Sequence, residues 1–259
     1  MGVELVAREA GDGPVLILLH GLFGSSRNWV SVQKQLAANH HVVSVDLRNH
    51  GASAWSEQMD YDVMAEDVVR FIEDRGYDPV SVLGHSMGGK VAMTLALRRP
   101  ELLNNLIVAD IAPVVYQPHY ADYINAMLAL DLTRLERRGD ADRALAPTIA
   151  SAGVRAFLLQ NLVQTNGEWS WRINLPVLAS CLTALGEFPV AGEGKQWAGR
   201  VMFIRGGNSQ YILPAHAEQI KRFFPNASQQ TIADAGHWLH AEQPAQFITL
   251  VNQFLQAES

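Results

Sequence analysis

An apolar run leads straight into a glycine-rich turn in the stretch Val80-Ser81-Val82-Leu83-Gly84-His85-Ser86-Met87-Gly88-Gly89. The turn reads Gly-x-Ser-x-Gly, and a helix-like segment over residues 87–99 follows it. A serine hydroxyl is lifted above the edge of a sheet only by a sharp strand-to-helix turn, whose flanking residues must be small. The pattern therefore predicts that Ser86 is a nucleophile at the top of a sheet.

Apolar runs like the one before this turn recur along the chain, at residues 15–19, 42–45, 80–83, 106–109 and 201–204. Continuous apolar runs are typical of strands that are buried on both faces of a parallel sheet. Helical patterns alternate with them, at residues 29–38, 61–75, 87–99 and 215–224. This alternation predicts an α/β fold with a doubly wound, mostly parallel sheet, formed by a single domain over residues 1–259.

One interval, residues 113–185, breaks the alternation. It contains no run typical of a parallel strand, and its helical patterns at 120–131, 140–145 and 153–162 are interrupted by prolines such as Pro147 and Pro176. Pro113 marks its beginning, where a helix or strand would be broken. We therefore predict that residues 113–185 form a helical cap inserted between two strands of the sheet.

A nucleophilic serine needs a base, and the best candidate is His237 near the end of the chain. It follows Gly236, which lets the loop bend toward the sheet, and it precedes a helical pattern over residues 243–256. His240 is a weaker candidate because no glycine precedes it. We predict that His237 is the base that activates Ser86.

A third residue must orient the imidazole, and the usual loop for it lacks an acid. The loop after residues 201–204 contains no carboxylate, and Gln210 stands where one is expected. Asp110 ends the run 106–109, and catalytic groups cluster at the carboxyl ends of neighbouring strands. We therefore predict that Asp110 orients His237. Two alternatives are that Asp110 caps a helix and that Asp234, three residues before His237, is the acid.

An oxyanion hole needs two backbone N–H groups that point at one position. One donor is predicted to be Met87, which follows Ser86 at the start of a helix. The other is predicted to be Leu22, in the glycine-containing loop His20–Ser25 that follows the first long apolar run. The side chains of Leu22 and Phe23 would then line the acyl pocket.

Aromatic residues near these positions are candidates for binding the substrate. Tyr116 and Trp171 lie in the predicted cap, and Trp238 follows the predicted base. Together with Phe23 they are predicted to contact the substrate, although packing of the cap on the sheet accounts for the cap aromatics equally well.

The loop Asp46–Ser53 contains Asp, Arg, His and Ser side chains and resembles an active-site segment in isolation. We expect it to be structural, with Asp46 and Arg48 hydrogen-bonded to neighbouring backbone. A direct catalytic role for His50 is not expected.

Composition excludes several classes of function. The net charge is −6 at pH 7 without a run of like charges, whereas nucleic-acid binding needs clustered Lys and Arg. No apolar stretch approaches the length of a membrane span, and Glu4 stands where a signal peptide carries a base. The only cysteine, Cys181, cannot form an internal disulfide. These features predict a cytoplasmic protein that does not act on membranes.

No histidine or acid has the spacing of metal ligands such as His-Glu-x-x-His, so no metal site and no cofactor are expected.

Four motifs stand in the order that is typical of the α/β-hydrolase superfamily: His20-Gly21, Asp46-x-Arg48-x-His50-Gly51, Gly84-x-Ser86-x-Gly88 and Gly236-His237. Three further segments, 20–25, 110–113 and 205–209, are similar to the YbfF-type serine esterases. The resemblance covers essentially the whole chain. It implies a helical cap and an acid after the sixth strand, in agreement with Asp110.

The resemblance also implies a hydrolase for small-molecule acyl esters or thioesters. Separately, we expect the protein to be a monomer or small homo-oligomer. Two other functions are compatible with the fold, because a fold does not determine function. One is a lyase or carbon–carbon hydrolase that uses the same residues. The other is a non-catalytic ligand-binding protein, which would usually have lost one of the three residues.

Overall fold

The computed structural model describes residues 2–117, 120–189 and 194–256. Its strands are β1 (Ala7–Ala10), β2 (Val15–Leu19), β3 (His41–Val45), β4 (Val80–His85), β5 (Leu103–Ala109), β6 (Leu162–Thr165), β7 (Glu168–Trp171), β8 (Arg200–Gly206) and β9 (Ser228–Ile232). Its α-helices are α1 (Val30–Leu36), α2 (Tyr61–Asp74), α3 (Met87–Arg98), α4 (Ala121–Leu128), α5 (Arg138–Leu145), α6 (Ala152–Leu158), α7 (Leu175–Gly186), α8 (Ala217–Phe223), α9 (Leu239–Glu242) and α10 (Pro244–Gln256).

Seven strands form the main sheet, in the spatial order β1-β3-β2-β4-β5-β8-β9. Only β1 is antiparallel to its neighbour, and the other pairs are parallel. The predicted doubly wound, mostly parallel sheet is therefore confirmed. Because β4, β5 and β8 are adjacent and parallel, the loops that follow them meet at the carboxyl ends of these strands.

The apolar runs form the central strands because both faces of the sheet are covered. Along β2, Ile17 and Leu19 face the core that contains residues of α2 and α3, whereas Leu16 and Leu18 face the core that contains residues of α1 and α10. Side chains of a strand point alternately to opposite faces, so a strand between two layers of helices must be apolar throughout.

Two strands of the main sheet, β1 and β9, were not predicted. They lie at its two edges, and four of the five residues of β9 are exposed. An edge strand needs no apolar run, because one side of it has no neighbouring strand and its side chains face solvent. The sequences Ala-Arg-Glu-Ala and Ser-Gln-Gln-Thr-Ile therefore gave no strand signal.

The chain leaves the sheet after β5 and returns to it at β8, which pairs directly with β5. Helices α4 to α7 and the two-stranded hairpin β6–β7 lie in between. The hairpin was missed, although its turn, Asn166-Gly167, has positive φ at both residues and is a strong hairpin signal. Pro176 was predicted to interrupt a helical pattern. It lies instead in the first turn of α7, where proline is tolerated.

Within the described ranges, no helix is both long enough and apolar enough to span a lipid bilayer.

Candidate active site

The turn between β4 and α3 holds Ser86 in a strained backbone conformation, with φ of 51°. A Cβ atom on Gly84 would run into the carbonyl of Gly88, and one on Gly88 would run into the carbonyl of Leu19. Any residue larger than glycine would therefore push the turn away from the sheet. This close approach explains the spacing of the two glycines around the serine.

His237 lies on the loop between β9 and α9, directly above this turn. Its Nε2 is 3.0 Å from the Ser86 Oγ, and its Nδ1 is 2.7 Å from the Asp110 Oδ2. These two contacts form a continuous hydrogen-bond chain from a buried carboxylate through an imidazole to a serine hydroxyl. The structure thus brings together the three residues that the sequence singled out for catalysis, and this arrangement can activate a serine.

Asp110 follows β5 and is fully buried, with a positive φ of 52°. Besides His237, it accepts a hydrogen bond from the Gly206 N–H at 3.0 Å and a short one from the Ser209 hydroxyl. Three donors therefore surround its two oxygens, which compensates the cost of burying a carboxylate. The backbone conformation turns the side chain away from the course of the strand and toward β8.

The alternative acids do not reach this position. Asp234 is exposed, and its backbone carbonyl accepts a hydrogen bond from the Gln243 side chain. Gln210 is exposed as well. The loop after β8 nevertheless contributes to the site, because Ser209 contacts Asp110. A search for carboxylates alone could not find this contribution.

Tyr211 on the same loop stacks on His237, with ring centroids 3.9 Å apart and an angle of 19° between the planes. Its hydroxyl lies 2.6 Å from the Tyr120 hydroxyl, and its carbonyl accepts a short hydrogen bond from Tyr116. The face of an aromatic ring attracts a cation, so Tyr211 is placed to stabilise a protonated imidazole. This residue was missed by the sequence analysis.

The residues of the predicted oxyanion donors, Leu22 and Met87, line the small cavity together with Ser86. Among the described residues, none accepts a hydrogen bond from the N–H of Leu22 or from that of Met87. Met87 is the first residue of α3, where backbone N–H groups have no partner within the helix. Both groups are therefore available to a developing negative charge.

Two buried histidines hold the loop that carries Leu22. The His20 Nε2 accepts a hydrogen bond from the Leu47 N–H at 3.0 Å, and its Nδ1–H donates to the Gly21 carbonyl at 2.8 Å. The His50 Nε2 accepts from the Phe23 N–H at 3.3 Å. His50 thus supports the loop and does not contact Ser86.

The loop that carries His50 is structural, as predicted. The Asp46 carboxylate accepts hydrogen bonds from the N–H groups of Ser26 and Ala52. The Arg48 side chain donates to backbone carbonyls and forms a buried ion pair with Asp67.

A second group of histidines lies beneath His237. The His85 Nε2–H donates to the His237 carbonyl at 2.7 Å, and the ring of His240 packs against His85 with 4.7 Å between centroids. Burial, and after it the neighbouring histidines, lowers the pKa of His85 well below its ordinary value and that of His240 to about 3. Burial likewise lowers the pKa of His50 to about 3. These rings are neutral at pH 7.

The free energy of unfolding is expected to fall as the pH drops from 7 to 5. Unfolded His50 and His240 bind a proton near pH 6.5, whereas the folded protein keeps both neutral down to about pH 3. Their stabilising contribution is therefore complete above pH 6.5 and is lost on going down toward pH 3. At pH 5 the loss is about 2 kcal/mol for each histidine.

Urea unfolding at pH 7 and pH 5, followed by circular dichroism, measures this loss. A His240→Phe variant should lose about 2 kcal/mol less than the wild type over the same interval, since one of the two groups is absent. Equal losses in the two proteins would contradict a neutral, buried His240.

Two cavities meet at Ser86, and Leu22, Tyr120 and Tyr211 line both of them. The smaller cavity, of about 50 Å³, continues past Met87 and Tyr116. The larger cavity, of about 230 Å³, opens past His237. The scissile group of a substrate at Ser86 therefore has a separate space for each of its two substituents.

Three of the four predicted substrate-binding residues line these cavities. Tyr116 lines the small one, and Phe23 and Trp238 line the large one. Trp171 lines neither of them, because it lies on the hairpin strand β7 opposite Leu162. The prediction for Trp171 is not supported: it came from its aromatic character, which serves packing of the inserted segment here.

Within the described ranges, no group of three or more His, Cys, Asp or Glu residues is placed to hold a metal ion. Cys181 is partly buried on α7 and has no disulfide partner.

A family model described as the alpha/beta hydrolase fold matches residues 14–244 of this sequence. The chain belongs to the α/β-hydrolase family. The family prediction is confirmed.

Within the family, this α/β-hydrolase is similar to proteins named as lipases and esterases. It is 41% identical over 250 residues to the mouse sn-1-specific diacylglycerol lipase ABHD11, covering 93% of this chain and 81% of that protein. It is 35% identical to the Escherichia coli esterase YbfF, covering 96% of each chain. A solved structure, a marine microorganism esterase, has 35% identity and a TM-score of 0.95 and covers 98% of this chain and 100% of that one. The predicted resemblance to YbfF-type esterases is confirmed.

Proposed function

We propose that this α/β-hydrolase cleaves carboxylic esters and thioesters through an acyl-enzyme on Ser86. The observation that carries the proposal is the continuous hydrogen-bond chain from Asp110 through His237 to Ser86. It ends beside two N–H groups without a partner among the described residues, those of Leu22 and Met87. Similarity to proteins named as ester hydrolases supports the same reaction.

In the proposed mechanism, His237 takes the proton of Ser86 while the Oγ attacks the ester carbonyl carbon. The oxygen of that carbonyl becomes negative and accepts hydrogen bonds from Leu22 and Met87. His237 then gives its proton to the leaving alcohol or thiol, and the carbon–oxygen or carbon–sulfur bond breaks. Water repeats both steps on the acyl-enzyme, which releases the acid and restores Ser86.

Asp110 acts on His237 throughout the proposed cycle. Its Oδ2 accepts the Nδ1 proton, so the Nε2 lone pair faces Ser86 in the resting enzyme. When His237 becomes protonated, the carboxylate stabilises the cation at 2.7 Å. Tyr211, stacked on the ring, adds a cation–π contribution at the same moment.

Each of the two cavities can be assigned to one half of the substrate, the acyl group or the leaving group. A leaving group must lie next to the proton that it receives, and His237 lines only the large cavity. We therefore assign the large cavity to the alcohol or thiol and the small cavity to the acyl group. Phe23, Tyr123, Phe157 and Trp238 give the large cavity an apolar surface, which suits an apolar leaving group. Under this assignment Phe23 lies on the leaving-group side and not, as expected from the sequence, in the acyl pocket.

Three further expectations remain proposals: residues 113–185 act as a cap over the site, the protein works in the cytoplasm, and it is a monomer or small homo-oligomer. The contacts between the inserted segment and the cavities support the first of them, because Tyr120, Phe157 and Leu185 all line the space around Ser86.

A series of p-nitrophenyl esters from acetate to palmitate, together with acyl-CoA thioesters, tests the proposal. Turnover is expected to favour short acyl chains, because the small cavity holds only a few heavy atoms. The Ser86→Ala variant is the control in every assay. A folded wild-type protein that turns over none of these substrates would contradict the proposal and favour carbon–carbon bond chemistry. Turnover that persists in the Ser86→Ala variant would contradict the proposed acyl-enzyme on Ser86.

A further inference from the structure

Lys90 is a buried basic side chain that lines the small cavity. Only 1% of its surface is exposed, and the catalytic turn itself places it there. Lys90 lies one helical turn beyond Ser86 on α3, and its N–H donates to the Ser86 carbonyl at 3.1 Å. Ser86 and Lys90 both line the small cavity.

The ammonium group has fewer partners than it has protons. Its Nζ donates to the carbonyls of Gly186 at 2.8 Å and Glu187 at 2.6 Å, at the end of α7. A lysine ammonium carries three N–H donors. Within the described part of the chain, no third acceptor and no ion pair is found for Lys90.

The surroundings of Lys90 are aromatic. Its Nζ lies 4.9 Å from the ring centroid of Tyr116 and 5.3 Å from that of Tyr61. Both rings line the small cavity, as does Lys90 itself. Among the described residues that line it, no other carries a formal charge.

In this environment the positive charge of protonated Lys90 has no buried negative charge beside it among the described residues. Burial lowers the pKa of Lys90 to about 7, and the negative charge of Glu187 opposes that shift only in part. The Glu187 side chain is exposed, so water screens it. A carboxylate brought into the cavity would supply the missing acceptor and the missing counter-charge, and it would favour the protonated lysine.

We propose that Lys90 makes the small cavity an acyl subsite for short acyl groups that end in a carboxylate, such as a succinyl group. This inference rests on the proposed ester hydrolysis and names the acyl class that the same site prefers. Ser86 holds the carbonyl carbon, and the far carboxylate accepts the free N–H of Lys90. Lys90 makes no bond in the reaction, so it determines specificity and does not take part in the chemical steps.

A purely structural role is the competing explanation. Lys90 joins α3 to the end of α7, and loss of this tie would loosen the inserted segment. Such a loss would affect charged and neutral acyl groups alike. The ratio of activities on two matched substrates therefore separates the two roles, whereas the absolute activity of a variant does not.

The test compares monoethyl succinate with ethyl levulinate, whose acyl group has the same shape with a methyl ketone in place of the carboxylate. At pH 6, Lys90 is mostly protonated and the carboxylate is ionised. The wild-type kcat/KM is expected to be about 10- to 100-fold higher for monoethyl succinate, the range of a hydrogen bond between charged groups. A wild-type ratio of one or below would overturn the proposal.

Two variants test the residue itself. Lys90→Met keeps the length of the side chain and removes the charge, and Lys90→Gln keeps a hydrogen-bond donor without the charge. The succinate-to-levulinate ratio should fall by about 10- to 100-fold in both. A ratio unchanged in either folded variant would assign Lys90 to the structural role. If neither variant folds, the wild-type ratio of kcat/KM for the two substrates still tests the proposal.

A binding experiment keeps this inference distinct from ester hydrolysis. Ser86→Ala protein is titrated calorimetrically with monoethyl succinate and with ethyl levulinate, and the first should bind about tenfold more tightly or better. If hydrolysis is absent but this preference is present, the reaction is wrong and the subsite stands. If Ser86-dependent hydrolysis is present and the preference is absent, the reaction stands and the subsite is wrong.

Discussion

Replacing Ser86 by alanine is expected to abolish ester hydrolysis while the protein stays folded. Among the described residues that line both cavities, Ser86 is the one whose hydroxyl oxygen is hydrogen-bonded to His237, at 3.0 Å from its Nε2. In one serine protease, loss of the nucleophile lowers kcat by about six orders of magnitude, and we expect a loss of similar size here. Initial rates with p-nitrophenyl acetate, at equal concentrations of wild type and variant, measure the loss.

The Ser86→Ala variant should retain the wild-type circular dichroism spectrum and midpoint of urea unfolding. Alanine removes one oxygen from a partly buried position, and the turn depends on Gly84 and Gly88. Hydrolysis within tenfold of the wild-type rate would mean that another group is the nucleophile. A variant that fails to fold would be replaced by Ser86→Gly, which suits the positive φ at this position.

Asp110→Asn is expected to lower kcat by about three to four orders of magnitude. Asparagine keeps the size of the side chain but is neutral, so a protonated His237 loses the carboxylate that lies 2.7 Å away. An amide NH₂ facing the Nδ1 would also favour the wrong tautomer of the imidazole. Steady-state kinetics over a range of pH separates the loss in kcat from any change in KM.

Asp234→Asn is the matched control for this variant. Asp234 lies on the same loop as His237, but its side chain is exposed. The change is expected to alter kcat by less than about threefold, as for other exposed positions without a structural role. A severe loss in Asp234→Asn together with a mild one in Asp110→Asn would make Asp234 the residue that orients His237.

The positions of Ser86 and His237 could be predicted because each follows from a local rule. Ser86 needs a turn that only small residues allow, and His237 needs a glycine before it. Asp110 was found by elimination, since the loop after β8 has no carboxylate and β5 ends beside β4. Whether these residues act as a catalytic triad stays a prediction for the experiments above.

Residues that act through contacts distant in sequence could not be predicted. Ser209 meets Asp110 across 99 positions, and the Lys90 ammonium meets Gly186 across 96. Tyr211 stacks on His237 where the loop after β8 is hydrogen-bonded to the loop after β9, from the Asn208 N–H to the Ala235 carbonyl. Such contacts depend on how strands and loops pack, and no spacing along the chain encodes them.

The strands of the sheet show the same difference between features encoded by local sequence and features that depend on distant contacts. The central strands were predictable because burial on both faces requires apolar residues throughout. The edge strands β1 and β9 were not, because their pairing is determined by the neighbouring strand and not by their own side chains. Trp171 was assigned to the substrate for its residue type alone, and residue type does not separate binding from packing.

The central claim is that Ser86 becomes covalently acylated, and a trapped adduct tests it most directly. Diethyl p-nitrophenyl phosphate transfers its phosphoryl group to an activated serine and cannot be released rapidly by water. We expect one equivalent of p-nitrophenolate per protein and a single modified peptide, with the added mass on Ser86. On the same time scale we expect no adduct on the Asp110→Asn protein. An active protein that is modified elsewhere, or not at all, would contradict it.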